Sequence, residues 1–248
     1  MVQAQNLPDD MEGPPRSQST AAYVRLKRDL LEGVRAPGAK LKINEIAQEV
    51  GVSPGAVREA LSRLAPEGLV VFRDQRGFVV APLSIEDLDD LTRLRCDIEG
   101  LALRRSLVQG DASWEASVLA AAHRLRRTPK WSADGGASST WRTLHDRFHT
   151  ALVGACGSLR LLDVRAQLHQ QSERYRMLSA LVDDERDVDG EHQSLVDAAL
   201  DRNVEEVVRQ ANSHFQKTTS LIKAAFTMGS APRLELVASE KRSRSETP

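Results

Sequence analysis

Residues 42–80, KINEIAQEVGVSPGAVREALSRLAPEGLVVFRDQRGFVV, leave few folds open to this chain. A short helix is predicted from about Ile43 to Val50, with Ile46, Ala47 and Val50 on its apolar side. Gly51 can close it in the left-handed conformation that other residues avoid. Ser53 then stands where a side-chain oxygen caps the next helix. Pro54 follows at the first helical position, where its missing N–H costs nothing. Val57, Leu61 and Leu64 point that second helix inward, leaving Arg58, Glu59, Ser62 and Arg63 on other faces. After Gly68 the pattern turns to β. Leu69–Phe72 and Phe78–Val80 flank the turn Arg73-Asp74-Gln75-Arg76-Gly77, a wing with basic residues at its tip. Two helices across a tight turn place the start of the second in a DNA major groove, so double-stranded DNA is the expected partner.

The rest of the chain reads as helix. Residues 1–17 hold three Pro, one Gly and three acidic residues and are expected to be a disordered lead-in. Ser19 or Thr20 is the expected cap of a first helix carrying Tyr23, Leu26, Leu30 and Leu31, which ends at Gly33. Ala81-Pro82 closes the wing. Ser84 and Asp87 have the spacing of a capping box, and Leu88, Leu91, Leu94, Ile98, Leu101 and Leu103 are expected to line one face of a helix to about Val108. Further helices are predicted at 112–127, 138–156, 158–182, 190–201 and 203–226. Pro129, Gly135-Gly136, Gly157 and Asp183-Asp184-Glu185 mark the breaks. The fold class is therefore mainly α, an N-terminal winged helix-turn-helix followed by an all-α helical bundle. The expected divisions are a DNA-binding domain at 18–81, an effector-binding and dimerisation domain at 84–228, and a disordered tail at 229–248.

Composition narrows function. No run of about 20 apolar residues is present, so no membrane partner is expected. The N-terminus lacks the basic-then-apolar start of a secretory signal. Two cysteines, Cys96 and Cys156, make no disulfide framework, which fits a reducing cytoplasm. The net charge of -1 hides a basic excess at residues 16–80, where 11 Lys/Arg face 7 Asp/Glu. That excess favours phosphate attraction. No HExxH, GxSxG, GxGxxG or P-loop segment occurs, so a metal-dependent hydrolase is a minor alternative, as is an architectural DNA-binding protein without a ligand.

Four histidines invite a metal reading. His145 and His149 lie four apart on one predicted helix and so share a face. His192 stands near the start of another helix, and His214 lies in the last one. Three or four imidazoles suit Zn²⁺ or Ni²⁺ better than the oxygen-seeking Mg²⁺ or Ca²⁺. The same residues could instead hold an effector directly or fill a polar cavity. His123 and His169 lack partners in this pattern and are expected at the surface or in the core.

Several motifs together resemble the GntR family of bacterial regulators. Pro37-Gly38, Glu45-Ile46-Ala47, Gly51-Val52-Ser53, Val57-Arg58-Glu59-Ala60-Leu61, Leu64, Glu67-Gly68-Leu69-Val70, Arg76-Gly77 and Val80 carry the first half. Leu94-Arg95-x-x-Ile98-Glu99, Phe148-His149, Glu191-His192 and His214 are similar to the helical effector domain of its FadR-type members. The likeness spans residues 20–226 and looks nearest to a carbon-starvation-induced repressor linked to glutarate use. It implies a homodimer that binds a DNA operator and answers to a small carboxylate effector at a metal-containing pocket. His149, His192 and His214 are the implied ligands. The fourth is His145, where the family has a carboxylate or amide, or its neighbour Asp146.

For DNA, Arg58 resembles the family arginine that meets bases or phosphate, against the alternative of a surface pair with a residue four away. Ser53, Lys42, Asn44, Arg63, Arg76 and Gly77 complete the candidate set. Pro54-Gly55 departs from the family, which often has a base-reading Arg after the capping residue. For the effector, Arg95 is the candidate carboxylate clamp, against a salt bridge to Glu99. Arg142, Arg174 and Tyr175 are further candidates.

Overall fold

A computed structural model describes residues 17–131, 138–179 and 186–227, and these fall into two compact units divided between Pro82 and Leu83. Residues 1–16 of the expected lead-in, the tail, and the breaks expected at Gly135-Gly136 and Asp183–Glu185 lie outside the described residues, whereas Ser17, expected as the end of the lead-in, is ordered as a helix cap.

The first unit is a winged helix-turn-helix. Helix α1 (Gln18–Leu31) is capped by Ser17, whose hydroxyl accepts from Thr20 N at 3.1 Å. The expected caps, Ser19 and Thr20, are inside the helix. The earlier start gives Gln18 a second task, because its side-chain carbonyl accepts the Ser53 N–H at the mouth of the recognition helix. Helices α2 (Ile43–Val50) and α3 (Pro54–Leu64) meet across Gly51, at φ 73°, and Ser53 caps α3 through Ala56 N. Strands β1 (Val70–Arg73) and β2 (Gly77–Val80) pair antiparallel, Val70 against Val80 and Phe72 against Phe78. Leu69, expected in the first strand, instead ties the end of α3 to the sheet, donating to Leu64 O and accepting from Ala81 N. Gln75 and Gly77 both take positive φ to turn the wing. Leu26, Ile46, Val57, Leu61, Leu64, Leu69 and Val80 fill the core.

The second unit is all helix: α4 (Ile85–Gln109), α5 (Ala112–Arg126), α6 (Ser139–Val153), α7 (Leu159–Ser179), α8 (Val188–Leu200) and α9 (Val204–Thr227). Helix α4 packs on α7 and α9, and α5 on α6 and α8. Helix α8 begins two residues before the expected start because Asp187 caps it through Gly190 N. At α4 the capping box is closed through a third residue. Ser84 accepts from Asp87 N as expected, while Ser84 N donates to the Tyr175 hydroxyl, which in turn donates to Asp87.

The apolar stripe expected on α4 needs correction. Leu88, Leu91 and Leu103 are buried, but Leu94 and Leu101 are exposed, and two charged residues, Arg95 and Glu99, take places on the inner face. Those places are polar because the bundle surrounds a buried polar centre.

Candidate metal centre and nucleic-acid interface

Three helices bring four histidines together. His145 and His149 project from one face of α6, His192 comes from the second turn of α8, and His214 from the middle of α9. One ring nitrogen from each lies within 4.8 Å of the other three, and all four side chains are buried. The Nε2 atoms of His145 and His149 stand 3.2 Å apart. Two nitrogens bound at ~2.0–2.1 Å to one tetrahedral ion would be separated by roughly 3.3 Å, so this spacing suits a shared cation. Phe148, Phe215 and Trp141 wall the cluster, Trp141 stacked on His145 at 4.7 Å.

His192 gives the sharper test. Both of its ring nitrogens are buried and neither makes a hydrogen bond. A buried polar group without a partner costs about 1–3 kcal/mol, which a coordinating ion would offset. The other rings are held from outside. His214 Nδ1 donates to Glu191 at 2.8 Å, the carboxylate–histidine arrangement that steadies a metal-ligating ring. Arg186 and Lys217 hold Glu191 in turn. Arg176 donates to His145 Nδ1 at 2.8 Å. A cleft of about 390 Å³ between α5 and α8 has His192 in its lining, with His123, Arg126 and Asp189 nearer solvent.

Burial keeps these imidazoles neutral. It pushes His192 down to about 2 and His214 to about 4, the latter against the opposing pull of Glu191. His145 and His149 are held well below the ordinary range, by burial first, then by Arg176 for His145 and by His214 for His149. Neutral imidazole is the form that binds metal. Burial alone would raise the Glu191 carboxyl, yet its bonds from His214, Arg186 and Lys217 hold it far below the usual carboxylate range.

Asp146, the alternative fourth ligand, is turned elsewhere. It meets His169 Nε2 at 3.0 Å, and His169 Nδ1 lies 3.0 Å from Arg95 Nη2. His169, expected as a bystander, therefore links the acid to the candidate clamp. Arg95 does not pair with Glu99, which is taken by Arg165 at 2.9 Å in a fully buried ion pair. Arg95 instead donates to Ser172, lies 4.1 Å over the Phe215 ring, and keeps Nε buried without a partner. Burial lowers its pKa to about 10. Glu99, Arg165, Glu173 and Arg176 act on it from nearby, yet no carboxylate is bonded to its guanidinium, which leaves it suited to an incoming anion beside a metal-type cluster.

The other effector candidates are not brought to the histidines. Tyr175 and Arg174 sit by Asp87 at the start of α4, where the Tyr175 hydroxyl completes the cap. Arg142 is half-exposed on α6 and forms no hydrogen bond or ion pair with the cluster among the described residues. Sequence reasoning missed Arg176, Arg186, Arg165 and the role of Glu191. Only Glu191 carried a signal, as the immediate neighbour of His192.

On the DNA-binding unit, Lys42, Asn44, Ser53, Arg58, Arg63 and Arg76 are all exposed. Arg63 lies 4.2 Å over the Tyr23 ring. Five residues advance a helix by roughly 500°, so Arg63 is turned about 140° from Arg58 and cannot share its groove. Lys42 is paired to Glu45 at 2.7 Å. At Gly55 the helix face is open, the nearest atom to an added Cβ being Ser53 Oγ at 4.0 Å.

Comparison with known proteins agrees with both halves. Residues 18–80 match the family described as bacterial regulatory proteins, gntR family, and residues 90–217 match the FCD domain. The chain is 37% identical over 211 residues to the uncharacterized HTH-type transcriptional regulator BphR of Paraburkholderia xenovorans, covering 84% of this chain and 86% of that one. It is 31% identical over 215 residues to the HTH-type transcriptional repressor GlaR of Escherichia coli, covering 84% and 96%. GlaR is the carbon-starvation-induced regulator expected from the sequence; with BphR at higher identity, that likeness is not specific. Among solved structures, McbR/YncC of Escherichia coli shares the fold at TM-score 0.69 and 18% identity, over 85% of this chain and 99% of that one.

Proposed function

The chain belongs to the GntR family of bacterial regulatory proteins and carries an FCD domain behind its winged helix-turn-helix; from that membership we propose a homodimeric repressor whose hold on its operator is set by a small carboxylate. It is a DNA-binding regulator, not an enzyme, as its relatives are. No helix among the described residues is long and apolar enough to cross a membrane, and a cytoplasmic setting suits the reading.

The observation that carries the proposal is the set of four buried histidines, with His192 lacking any partner on either ring nitrogen. His149, His192, His214 and His145 would hold a divalent ion, Zn²⁺ or Ni²⁺ by donor type. Once held, such an ion would supply a positive charge that draws a carboxylate, which would enter only by adding to or displacing one of the four imidazoles. Arg95 offers the second anchor. Its Nη atoms are steadied by Ser172 and His169, and Asp146 fixes His169 from behind. Glu191 orients His214, while Phe215 and Trp141 keep water off the rings. By resemblance, a C4–C5 dicarboxylate such as glutarate is the effector class. The acid binds one conformation of the dimer better than the other and so shifts the population away from DNA. A few kcal/mol of differential affinity suffices.

On the DNA side, Arg58 carries recognition, with Arg76 and Gly77 at the wing and Lys42, Asn44 and Ser53 near phosphate. Arg63 has a lesser part.

The test combines metal analysis of purified protein with operator binding. Wild-type protein should contain close to one divalent ion per chain and release operator on adding a C4–C5 dicarboxylate. His192→Ala should lose the ion and the response while keeping operator affinity. A metal-free wild-type protein that ignores every small carboxylate would sink the proposal.

A further inference from the structure

The four histidines are not held alike. His145 is bonded to Arg176 through Nδ1 and lies 3.2 Å from His149 through Nε2, while His214 is fixed by Glu191 and Arg186. His192 alone of the four has both ring nitrogens without a hydrogen bond. Other rings stand round it, Phe148 and His145 each at 5.0 Å between centroids. Its imidazole can nonetheless turn about the Cβ–Cγ bond, a soft torsion, without breaking a polar contact. His192 is also the histidine of this cluster that reaches the lining of the cleft of about 390 Å³ between α5 and α8.

Charge separates the approaches to the cluster. Guanidinium groups guard its other sides: Arg176 against His145, Arg186 against His214, and Arg95, which acts on His149 and His214 from α4. A second cleft, of about 380 Å³ beside Trp141, sets Arg126, Arg127, Lys130 and Arg186 against Asp187 and Asp189, a formal charge of +2. A divalent cation is repelled along each of these paths. The α5–α8 cleft is formally neutral, with one cation, Arg126, and one acid, Asp189, both exposed. Asp189 stands three residues before His192, so the two share a face of α8. A carboxylate and a histidine at that spacing on one helix are a metal-binding pair in other helical bundles. His123 is exposed on the α5 wall, and Leu125 and Val196 are buried behind it. The cleft therefore offers cation ligands at its mouth, an apolar wall within, and an untethered imidazole at its end.

From this geometry we infer that the cleft between α5 and α8 is the way by which a divalent cation enters the bundle. Asp189 and His123 collect it at the mouth, and His192 is the ring that turns to receive it and brings it to His145, His149 and His214. The inference rests on the ion site proposed above. About six waters of hydration, at ~30 Å³ each, fill roughly 180 Å³, so the cleft has room for a hydrated ion and the imidazoles replace its waters further in. Helices α5 and α8 pack on each other, on α6 and on α9, whereas Arg95 stands on α4, which packs on α6, α7 and α9. An acid held at Arg95 then leaves the cation's route open.

Stopped-flow mixing of chelator-stripped, full-length protein with Ni²⁺ tests the route, read by quenching of Trp141, which is stacked on His145 at 4.7 Å. Obstructing the entrance of a buried site slows uptake and release by one factor and leaves affinity alone. Gln193 is exposed in the cleft lining, so Gln193→Cys in a Cys96→Ser background can carry a bulky disulfide-linked label there. The label should slow uptake, and release to excess chelator, each by on the order of tenfold, with affinity unchanged. Reducing the label off should restore both rates, which a damaged fold would not. Ala122→Leu, on the facing wall, should slow both rates together as well. Asp189→Asn should slow uptake by about tenfold, as loss of an attracting charge does. Labelled and unlabelled protein that exchange Ni²⁺ at equal rates overturn the route and leave the ion site standing. So does a label that slows uptake but speeds release, because it acts on the site and not on its entrance. A wild-type protein that takes up no Ni²⁺ in equilibrium dialysis overturns both.

Discussion

Stripped of divalent ions by a chelator, the protein should lose stability steeply as pH falls from about 7 to about 5. An unfolded histidine titrates near 6.5, whereas burial holds His192 at about 2 and His214 at about 4 in the fold. Below 6.5 the unfolded chain takes up protons that the folded chain refuses. The folded state is therefore at full strength above about 6.5 and weakens with each step below it. One pKa unit corresponds to about 1.4 kcal/mol, so at about pH 5 each of these two residues removes about 2 kcal/mol, or about 4 kcal/mol together. His145 and His149, also depressed by burial, add to the loss. A total stability of about 5–15 kcal/mol makes this a large share. Urea titrations followed by the fluorescence of buried Trp114 and Trp141 give the measurement. His192→Leu should shed about 2 kcal/mol of the pH dependence while leaving the remainder. Equal unfolding free energies at the two pH values, in chelator, would refute the picture of four neutral buried rings.

Other outcomes follow from single contacts. Glu99→Gln leaves Arg165 buried without its counter-charge, which should cost about 3–5 kcal/mol and lower the melting temperature by on the order of 10 °C; Glu99→Leu with Arg165→Met should recover most of it. Tyr175→Phe removes the hydroxyl that joins Ser84 N to Asp87, and about 1–3 kcal/mol should be lost in urea unfolding, with metal content unchanged. Arg58→Ala should weaken operator binding by about 1–3 kcal/mol in fluorescence anisotropy, against under threefold for Arg63→Ala, whose guanidinium is stacked on Tyr23. An Arg63→Ala loss as large as that of Arg58→Ala would overturn the assignment of the groove-facing side.

Periodicity and capping chemistry made most of the fold legible. Gly51, Ser53-Pro54 and the wing turn punctuate the first unit, and helices α5 to α9 begin within a few residues of expectation because local signals, Asp111, Ser138, Asp187 and Asn203 among them, cap their starts; the expected end of α7 lies outside the described residues. The error on α4 has a physical source. A single helix with apolar residues all round gives no unique inner face; hydrophobicity alone favours Leu94 and Leu101, whereas the bundle buries Arg95 and Glu99. The four histidines were legible as types and spacings, but the groups that orient them were not. Arg176 and Arg186 reach His145 and His214 from residues 31 and 28 positions distant, on chain segments whose own pattern says only that they are polar. Tyr175 and Arg174 lie by Asp87 and not by the histidines for a related reason. Adjacent residues on a helix point about 100° apart, so neighbours of a functional arginine can serve a different part of the bundle.

The contact between Arg176 and His145 has a consequence for the order of events. A guanidinium only donates, so His145 Nδ1 must accept, and the ring's own proton then sits on Nε2, from where it reaches His149 at 3.2 Å. For His145 to present a lone pair at Nε2, that proton has to cross to Nδ1, and Arg176 has to turn from the ring. Trp141, over which Arg176 lies at 5.4 Å, and Glu173, at 3.0 Å, are already at hand to keep it. If the proposed cation binds the four rings, its uptake and the release of one arginine from imidazole would be a single exchange. An anion that drew Arg176 away would then tighten the proposed cation, and by reciprocity the cation would tighten the anion, so that both together would be favoured over either alone.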